Sequence, residues 1–415
     1  MINVFILFLC LIPCSLHGQA DGTTPAETIS LEEAIKTGLL NNPEIKQASE
    51  NINAAKGRFW SGISLPPPEV NVEYEFIPDK SGLSRYDERT IQVSQSFALP
   101  YEYILNGVKY NTEKDIAYSN LKQAEIKITS AIKSAYYSVL EKQEQLRIAE
   151  ENLVIAEEFS SKADIRYNTG EGTNLERLTA KVQYSEAVNN TSVARNKMNT
   201  ALAELNFVMG TGNRSYRLSD SLAFIEYNLT LQQILDLSNE SNQLIKSAEL
   251  NVKAISAERG LAWTSFLPGF SFAYSRQSRP GNNNYYGMSF GVSIPLWFMF
   301  DQRGRIQETS ANVSIAETGL RLVKDEVSLK IKNAFSDYEN NFKQVQLYRE
   351  EILPQADEIY RTAYASYDAG EISYLEYLQA RQTLVNSKSN YINILYNYNA
   401  AIAALEEAVG ARLKK

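Results

Sequence analysis

Residues 166–176 read RYNTGEGTNLE and residues 366–376 read SYDAGEISYLE. Tyr167 aligns with Tyr367, Gly170 with Gly370, Glu171 with Glu371, Leu175 with Leu375 and Glu176 with Glu376, all at one offset of 200 residues. The match extends outward at that offset. LEEAIKTGLLNNPEIKQA from residue 31 faces LQQILDLSNESNQLIKSA from residue 231, and Pro68 faces Pro268. Val70, Val72 and Tyr74 face Phe270, Phe272 and Tyr274, and Gly210 faces Gly410. Chance likeness between helices rich in the same few residues would not align a helix, a Pro-led strand, a glycine turn and a terminal glycine together. The chain therefore reads as two copies of one plan, 19–210 and 231–415, joined by a connection at 211–230.

Proline placement shows where helices run. None occurs between Tyr101 and Leu267, and the matching part of the second half has only Pro354. Proline is poorly tolerated inside helices, so Tyr101 to Asn168 is expected to form one helix of roughly 100 Å, at about 1.5 Å per residue. Ile128, Ile132, Ala135, Val139, Leu146, Ala149, Leu153, Ala156, Ala163 and Tyr167 follow the alternating four-three spacing of a coiled-coil seam, broken by Lys142 and Ser160. Ala180, Ala187, Ala194 and Ala201 then recur every seven residues, as do Ala380, Ser387, Ile394, Ala401 and Ala408. Side chains this small let neighbouring helices approach closely. Each long helix is expected to turn back near Gly170 or Gly370, because glycine takes the positive φ that ends a helix.

Four segments follow a different period. PEVNVEYEF (68–76) sets Val70, Val72, Tyr74 and Phe76 on one face and Asn71, Glu73 and Glu75 on the other. TIQVSQSFAL (90–99) gathers Ile91, Val93, Phe97 and Leu99. GFSFAYS (269–275) gathers Phe270, Phe272 and Tyr274, and YGMSFGVSIP (286–295) gathers Tyr286, Met288, Phe290, Val292 and Ile294. Period two with aromatic faces predicts strands, paired as hairpins over 68–99 and 268–295. Two hairpins on a soluble core would satisfy this pattern. So would strands of a membrane barrel, apolar outside and polar inside. The barrel is favoured because the flanking helices offer little spare apolar surface to cover a sheet. Four strands cannot close a pore alone, so several chains would share it.

Composition narrows the functions. A formal net charge of −8 argues against nucleic acid, which needs a basic surface. Val4 to Ile12 form a short apolar run, expected to be a signal peptide over 1–18 with cleavage after Gly18 or Ala20. Lipidation at Cys14 is the alternative, although Pro13 stands where a small residue is expected. Cys10, Cys14 and His17 are the only Cys and His residues, and all precede the first cleavage point. The mature chain would then hold no Cys or His metal site, Cys–His nucleophile or Ser–His–Asp triad. No Gly-rich phosphate loop or paired-carboxylate constellation is visible, so neither cofactor nor enzyme activity is expected. The most apolar later run, VSIPLWFMF (292–300), contains Pro295 and is no membrane helix.

Taken in order, the signal peptide, the 200-residue duplication, the two Pro-bounded hairpins and the long helical hairpins tipped by Y-x-x-G-E resemble the TolC-like outer-membrane efflux proteins. The resemblance covers nearly the whole mature chain. It implies a mostly α fold with a small β part: long helical hairpins forming a periplasmic α-barrel, and four strands per chain in a trimeric twelve-stranded barrel. It also implies a homotrimer in outer-membrane lipid, docked to a periplasmic adaptor and an inner-membrane transporter. Carried over by position, Gly170, Glu171, Gly370 and Glu371 are expected at the adaptor-docking tips. Glu176, Tyr367 and Glu376 are expected at a periplasmic gate, where acidic rings would attract cations. Against that stands the plain reading of Glu176 and Glu376 as solvated helix-face residues. Ile372 stands where some members have a gate arginine, and Gln379 where some have a second acidic residue. The expected function is the exit duct of a tripartite efflux system for small molecules or metal ions. The alternatives are a duct for type I protein secretion and a non-pore periplasmic coiled-coil scaffold.

Overall fold

Where the apolar seam predicts one helix, α3 (Pro100–Asn168) runs unbroken for 69 residues, roughly 100 Å at about 1.5 Å per residue. It opens on Pro100, whose missing N–H costs nothing in a first turn. The computed structural model describes residues 27–77, 86–227, 229–279, 281–294 and 301–413. The expected signal peptide, its cleavage points and Cys14 lie outside these residues, as do 78–85 of the first strand loop and 295–300 of the apolar run.

The first half contains β1 (Glu27–Ile29), α1 (Leu31–Asn41), α2 (Pro43–Ile63), β2 (Glu69–Glu75), β3 (Glu88–Phe97), α3, α4 (Asn174–Met209) and β4 (Tyr216–Leu218). The second contains α5 (Leu231–Ser241), α6 (Gln243–Thr264), β5 (Gly269–Arg279), β6 (Asn282–Ser293), α7 (Asp301–Leu347), α8 (Leu353–Asp368) and α9 (Tyr374–Val409). α3 packs against α4, α9, α6 and α2, and α7 packs against α6 and α9. The small-residue spacing works as expected. Ala180, Ala187 and Ala201 are buried on α4, and Ala380, Ser387, Ile394, Ala401 and Ala408 on α9.

Pro354 does not break the second long helix. A π-helical turn, Tyr348–Ile352, joins α7 to α8. Leu353 donates its N–H to the Tyr348 carbonyl, five residues back. A proline removes one N–H and crowds the carbonyl four residues before it. The wider turn relieves both and lets the helix continue.

Two apolar cores flank the waist. One gathers Ile29, Ile35, Ile132, Tyr136, Leu205 and Met209, the other Ile234, Ile331, Val345, Tyr398, Leu405 and Val409. The connecting segment after α4 is tied down by buried tyrosines. The Tyr136 hydroxyl lies 2.8 Å from Asp220 Oδ2, while Tyr398 donates to the Ile225 carbonyl at 2.6 Å and Tyr338 to the Tyr227 carbonyl at 2.8 Å. The short parallel pair β1–β4 has no counterpart in the sequence expectations, since three-residue strands carry no readable period.

The chain repeats one joint at an offset of 200. Buried Asn42 caps α2 by accepting from Glu44 N–H at 2.8 Å, and its Nδ2 donates to the Val208 carbonyl at 2.7 Å. Asn242 caps α6 through Leu244 N–H at 3.0 Å and donates to the Ala408 carbonyl at 2.9 Å. Gly210 and Gly410 follow at φ +67° and +84°, and a Cβ on Gly210 would meet the Asn41 carbonyl oxygen at 2.9 Å.

The two strand hairpins lie side by side in one antiparallel sheet, β2–β3–β5–β6. Register sets Val70 opposite Val93, Val93 opposite Tyr274 and Tyr274 opposite Met288. One face is therefore mainly apolar on the side towards the helices, and it is bare: Val70 is 63% exposed, Met288 70% and Phe290 82%. The opposite face carries Asn71, Glu73, Thr90, Gln92, Ser94, Ser271, Ser275 and Ser289. Among the described residues no helix is long and apolar enough to cross a membrane.

The glycine joint makes a stability prediction. Gly210→Ala should cost about 1–3 kcal/mol, combining a positive φ with a backbone clash, and lower the thermal midpoint measured by circular dichroism. Gly57→Ala has open space around it and should leave the midpoint unchanged or raise it, as alanine is the better helix former by about 1 kcal/mol.

Candidate functional site

Both helical hairpins end in the same turn. At the first tip, Gly170 sits at φ +81°, Thr169 N–H bonds to the Ile165 carbonyl at 3.0 Å, and Glu171 N–H reaches back to the Arg166 carbonyl at 2.9 Å. At the second, Gly370 sits at φ +75°, Ala369 N–H bonds to the Ala365 carbonyl at 3.0 Å, and Glu371 N–H reaches the Ser366 carbonyl at 2.8 Å. This pattern satisfies the last helical carbonyls and reverses the chain. A Cβ on either glycine would meet nothing within 4 Å, so the backbone conformation, not crowding, selects glycine. Glu171 and Glu371 are exposed beside them.

The next helix starts on a hydroxyl cap in both copies. Thr173 accepts from Glu176 N–H at 3.1 Å and Ser373 from Glu376 N–H at 3.3 Å. There the two carboxylates part company. Glu376 turns back to accept from Ser373 N–H and Oγ, each at 2.8 Å, closing a reciprocal capping box. These bonds to Ser373 hold its pKa below the usual glutamate value, although it is exposed. Glu176 instead meets Arg166 Nη1 at 3.4 Å. The cause lies at one position: Arg166 in the first tip is replaced by Ser366 in the second. Among the described residues, only the first glutamate pairs with a cation.

Arg166 reaches further. The same Nη1 donates to the Tyr367 hydroxyl at 3.1 Å, so one guanidinium links Glu176 on α4 to Tyr367 on α8. Of the three residues expected at a gate, the fold thus brings Glu176 and Tyr367 together and leaves Glu376 in its own capping box. Tyr367 is half-buried, and burial is the main cause of its raised pKa, with Glu176 adding to the rise and Arg166 opposing it. Arg166 lies inside the repeated tip motif, but the spacing of the motif alone does not single it out.

Behind the tips lies an aromatic cluster that periodicity also missed. Phe159 of α3 stacks on Tyr374 and Tyr377 of α9 at 4.7 and 5.2 Å between ring centres, and Tyr367 stacks on Tyr377 at 5.3 Å. The first copy substitutes charge for stacking at the matching pair, where the Arg177 guanidinium lies 4.5 Å from the Tyr167 ring centre. Arg381, buried next to Tyr377, donates from Nη2 to the Asn152 carbonyl at 2.8 Å and to Asn152 Oδ1. Burial lowers its pKa, opposed by Tyr377. Among the described residues no group of His, Cys, Asp or Glu is arranged to hold a metal ion.

Comparison with known proteins fits this architecture. The sequence profile described as "Outer membrane efflux protein" matches residues 34–211 and again 234–411. The cobalt-zinc-cadmium resistance protein CzcC of Cupriavidus metallidurans is 18% identical over 93% of this chain and 91% of its own. The outer membrane protein TolC of Escherichia coli is 21% identical over 96% of this chain and 85% of its own. Among solved structures, the Campylobacter jejuni CmeC outer membrane channel superposes with a TM-score of 0.77 at 17% identity, covering 92% of this chain and 85% of that one. With the profile matched over most of its length, in both halves, the chain belongs to the outer membrane efflux protein family.

Proposed function

We propose that three copies of this chain form a twelve-stranded barrel in the outer membrane, continued by a helical tunnel, and that this duct is the exit of a tripartite efflux system. In this reading the chain is two structural copies, 19–210 and 231–415, with 211–230 as an equatorial connection. The observation that carries it is the four-stranded sheet, apolar on one face and polar on the other, with β2 and β6 as bare edges. A bilayer forbids unpaired backbone groups, so those edges need neighbouring copies. The cargo is a small molecule or metal ion, in keeping with the name of one relative, the cobalt-zinc-cadmium resistance protein CzcC. The energy comes from an inner-membrane transporter, reached through a periplasmic adaptor.

Within that reading the tips carry two tasks. Gly170, Glu171, Gly370 and Glu371 form the outward turns that meet the adaptor. Glu176, Tyr367 and Glu376 belong to the periplasmic gate, with Arg166 as its latch. The guanidinium ties the first hairpin to the second within one protomer and compensates for Ile372, where some relatives carry the arginine on the second hairpin. Three copies of Glu376 around the axis would present an acidic ring that favours cations.

Three measurements test this. Purified protein in planar bilayers should conduct as a pore; absence of any channel activity would overturn the duct. Arg166→Ala should raise single-channel conductance several-fold, while Glu376→Ala should leave conductance near wild type and reduce cation selectivity, read as a shifted reversal potential in a salt gradient. Gly170→Pro or Gly370→Pro, which forbids the positive φ and removes the N–H bonded to Tyr167 or Tyr367, should abolish efflux in a cargo-sensitivity assay while oligomer and outer-membrane levels persist.

A further inference from the structure

The apolar face of the sheet is not apolar to its end. Three rows, running from the helical side, carry Phe97, Phe270 and Val292, then Gln95, Phe272 and Phe290, then Val70, Val93, Tyr274 and Met288. No charged side chain occurs in them. The next row sets Arg276 between Ile91 and Tyr286, and the last sets Arg89 between Tyr74 and Ser278. Both arginines thus stand on the lipid-side face, at the end farthest from the helices. Neighbouring strands at a diagonal offset place them about 7–8 Å apart.

Aromatic rings surround the pair. Tyr74 packs edge-on against Tyr86 at 4.9 Å, the Arg89 guanidinium lies 5.9 Å from the Tyr86 ring centre, and Tyr274 and Tyr286 lie 6.1 Å apart. Tyrosines at this level are the belt that marks a membrane–water boundary. Arg89 Nε is shielded from solvent and meets no acceptor among the described residues, a donor whose partner is missing. Arg276 is exposed. Of the acidic side chains on the described strands at this end, Glu75 and Glu88 lie on the opposite face, where Glu88 pairs with Arg279 at 3.0 Å, and Asp87 stands exposed just before β3.

From this we infer that Arg89 and Arg276 form a site on the outside of the barrel for a phosphate-bearing lipid head group of the outer leaflet. Planar guanidinium groups bind phosphate oxygens through paired N–H donors, and two at this spacing can share one phosphate or a pair. An arginine facing hydrocarbon is costly at mid-depth and far less so near the boundary. Two arginines in the last rows and none in the three below is the distribution that head-group contact rewards. A free anion would need only charge, whereas the lipid also covers Tyr286, level with Arg276 and 65% exposed, and Met288, one row nearer the helices and 70% exposed.

The inference rests on the outer-membrane barrel reading, and its test separates the two. Full-length protein would be reconstituted in phosphatidylcholine vesicles and titrated with bisphosphorylated lipid A or its dephosphorylated form. Conductance would be recorded alongside bound lipid. The wild type should retain the phosphorylated lipid at least about tenfold more tightly. An Arg89→Gln/Arg276→Gln double variant should lose that preference while keeping wild-type conductance. Equal retention of the two lipids, or a preference unchanged in the double variant, overturns the lipid site and leaves the duct intact. Displacement by millimolar inorganic phosphate reassigns the arginines to a free anion and overturns it too. Protein that never inserts or conducts overturns the barrel and this site together.

Discussion

A backbone group in hydrocarbon must find its hydrogen-bond partner within protein. That constraint organises the molecule from the sheet outward. Four strands supply three pairings and leave two edges. The helices are arranged in the same unfinished way. α4 and the α7–α8 helix lie at opposite margins of a layer whose interior is α3 and α9. Both margins expose apolar side chains, Leu175, Leu178 and Val182 on α4 and Ile315, Leu322 and Leu329 on α7. In the proposed assembly a sheet with bare edges and a helical layer with apolar margins share one remedy, a ring of copies. Strand edges and helix margins then close in one step.

The elements of this fold were legible in the sequence to the extent that each rests on a local rule. The length of α3 follows from the absence of proline and an apolar seam. The tips follow from glycines that must take a positive φ. The strand faces follow from alternation. Expectation fell short where the outcome depends on which residues the tertiary fold brings together. Glu176 and Glu376 occupy equivalent positions after equivalent hydroxyl caps, yet one bonds Arg166 and the other its own cap. The deciding difference is ten residues upstream, at Arg166 and Ser366. Likewise, the position of Pro354 was plain, but a kink, a break or a π turn were all open to it. The tyrosine cluster behind the tips combines residues from α3, α8 and α9 that no single period collects.

The two hairpins are joined by polar links spaced along an otherwise apolar seam. Near the waist, Ser130 Oγ donates to the Ala403 carbonyl at 3.1 Å and Lys133 pairs with Glu406. Further along, Ser389 donates to Gln145 Oε1 at 2.6 Å, and Gln145 Nε2 returns a bond to the Ser389 carbonyl at 2.8 Å. Arg381 then holds Asn152, and Arg166 holds Tyr367 at the tip. An apolar seam alone tolerates sliding, whereas a buried polar partner fixes one register at the cost of desolvation. Breaking such a pair strands a buried group, so the buried links resist change more than exposed ones.

That gradient indicates where movement is least costly. The link to Asn152 is made by a buried arginine, and the link to Ala403 by a buried serine. The Arg166 side chain is 43% exposed, and water can replace its partners when it lets go. Local opening falls to the segment with the fewest buried contacts. Beyond Tyr377, which is 1% exposed, the hairpins carry exposed side chains at Ile165, Leu175 and Leu375. In the proposed gate the last turns of α3 and α8 would part about the Tyr377–Arg381 cluster once the Arg166 bonds and the ring contacts of Tyr367 release. The gate proposed above would then need no rearrangement of the two apolar cores or the sheet, and the cluster that periodicity missed would be its pivot.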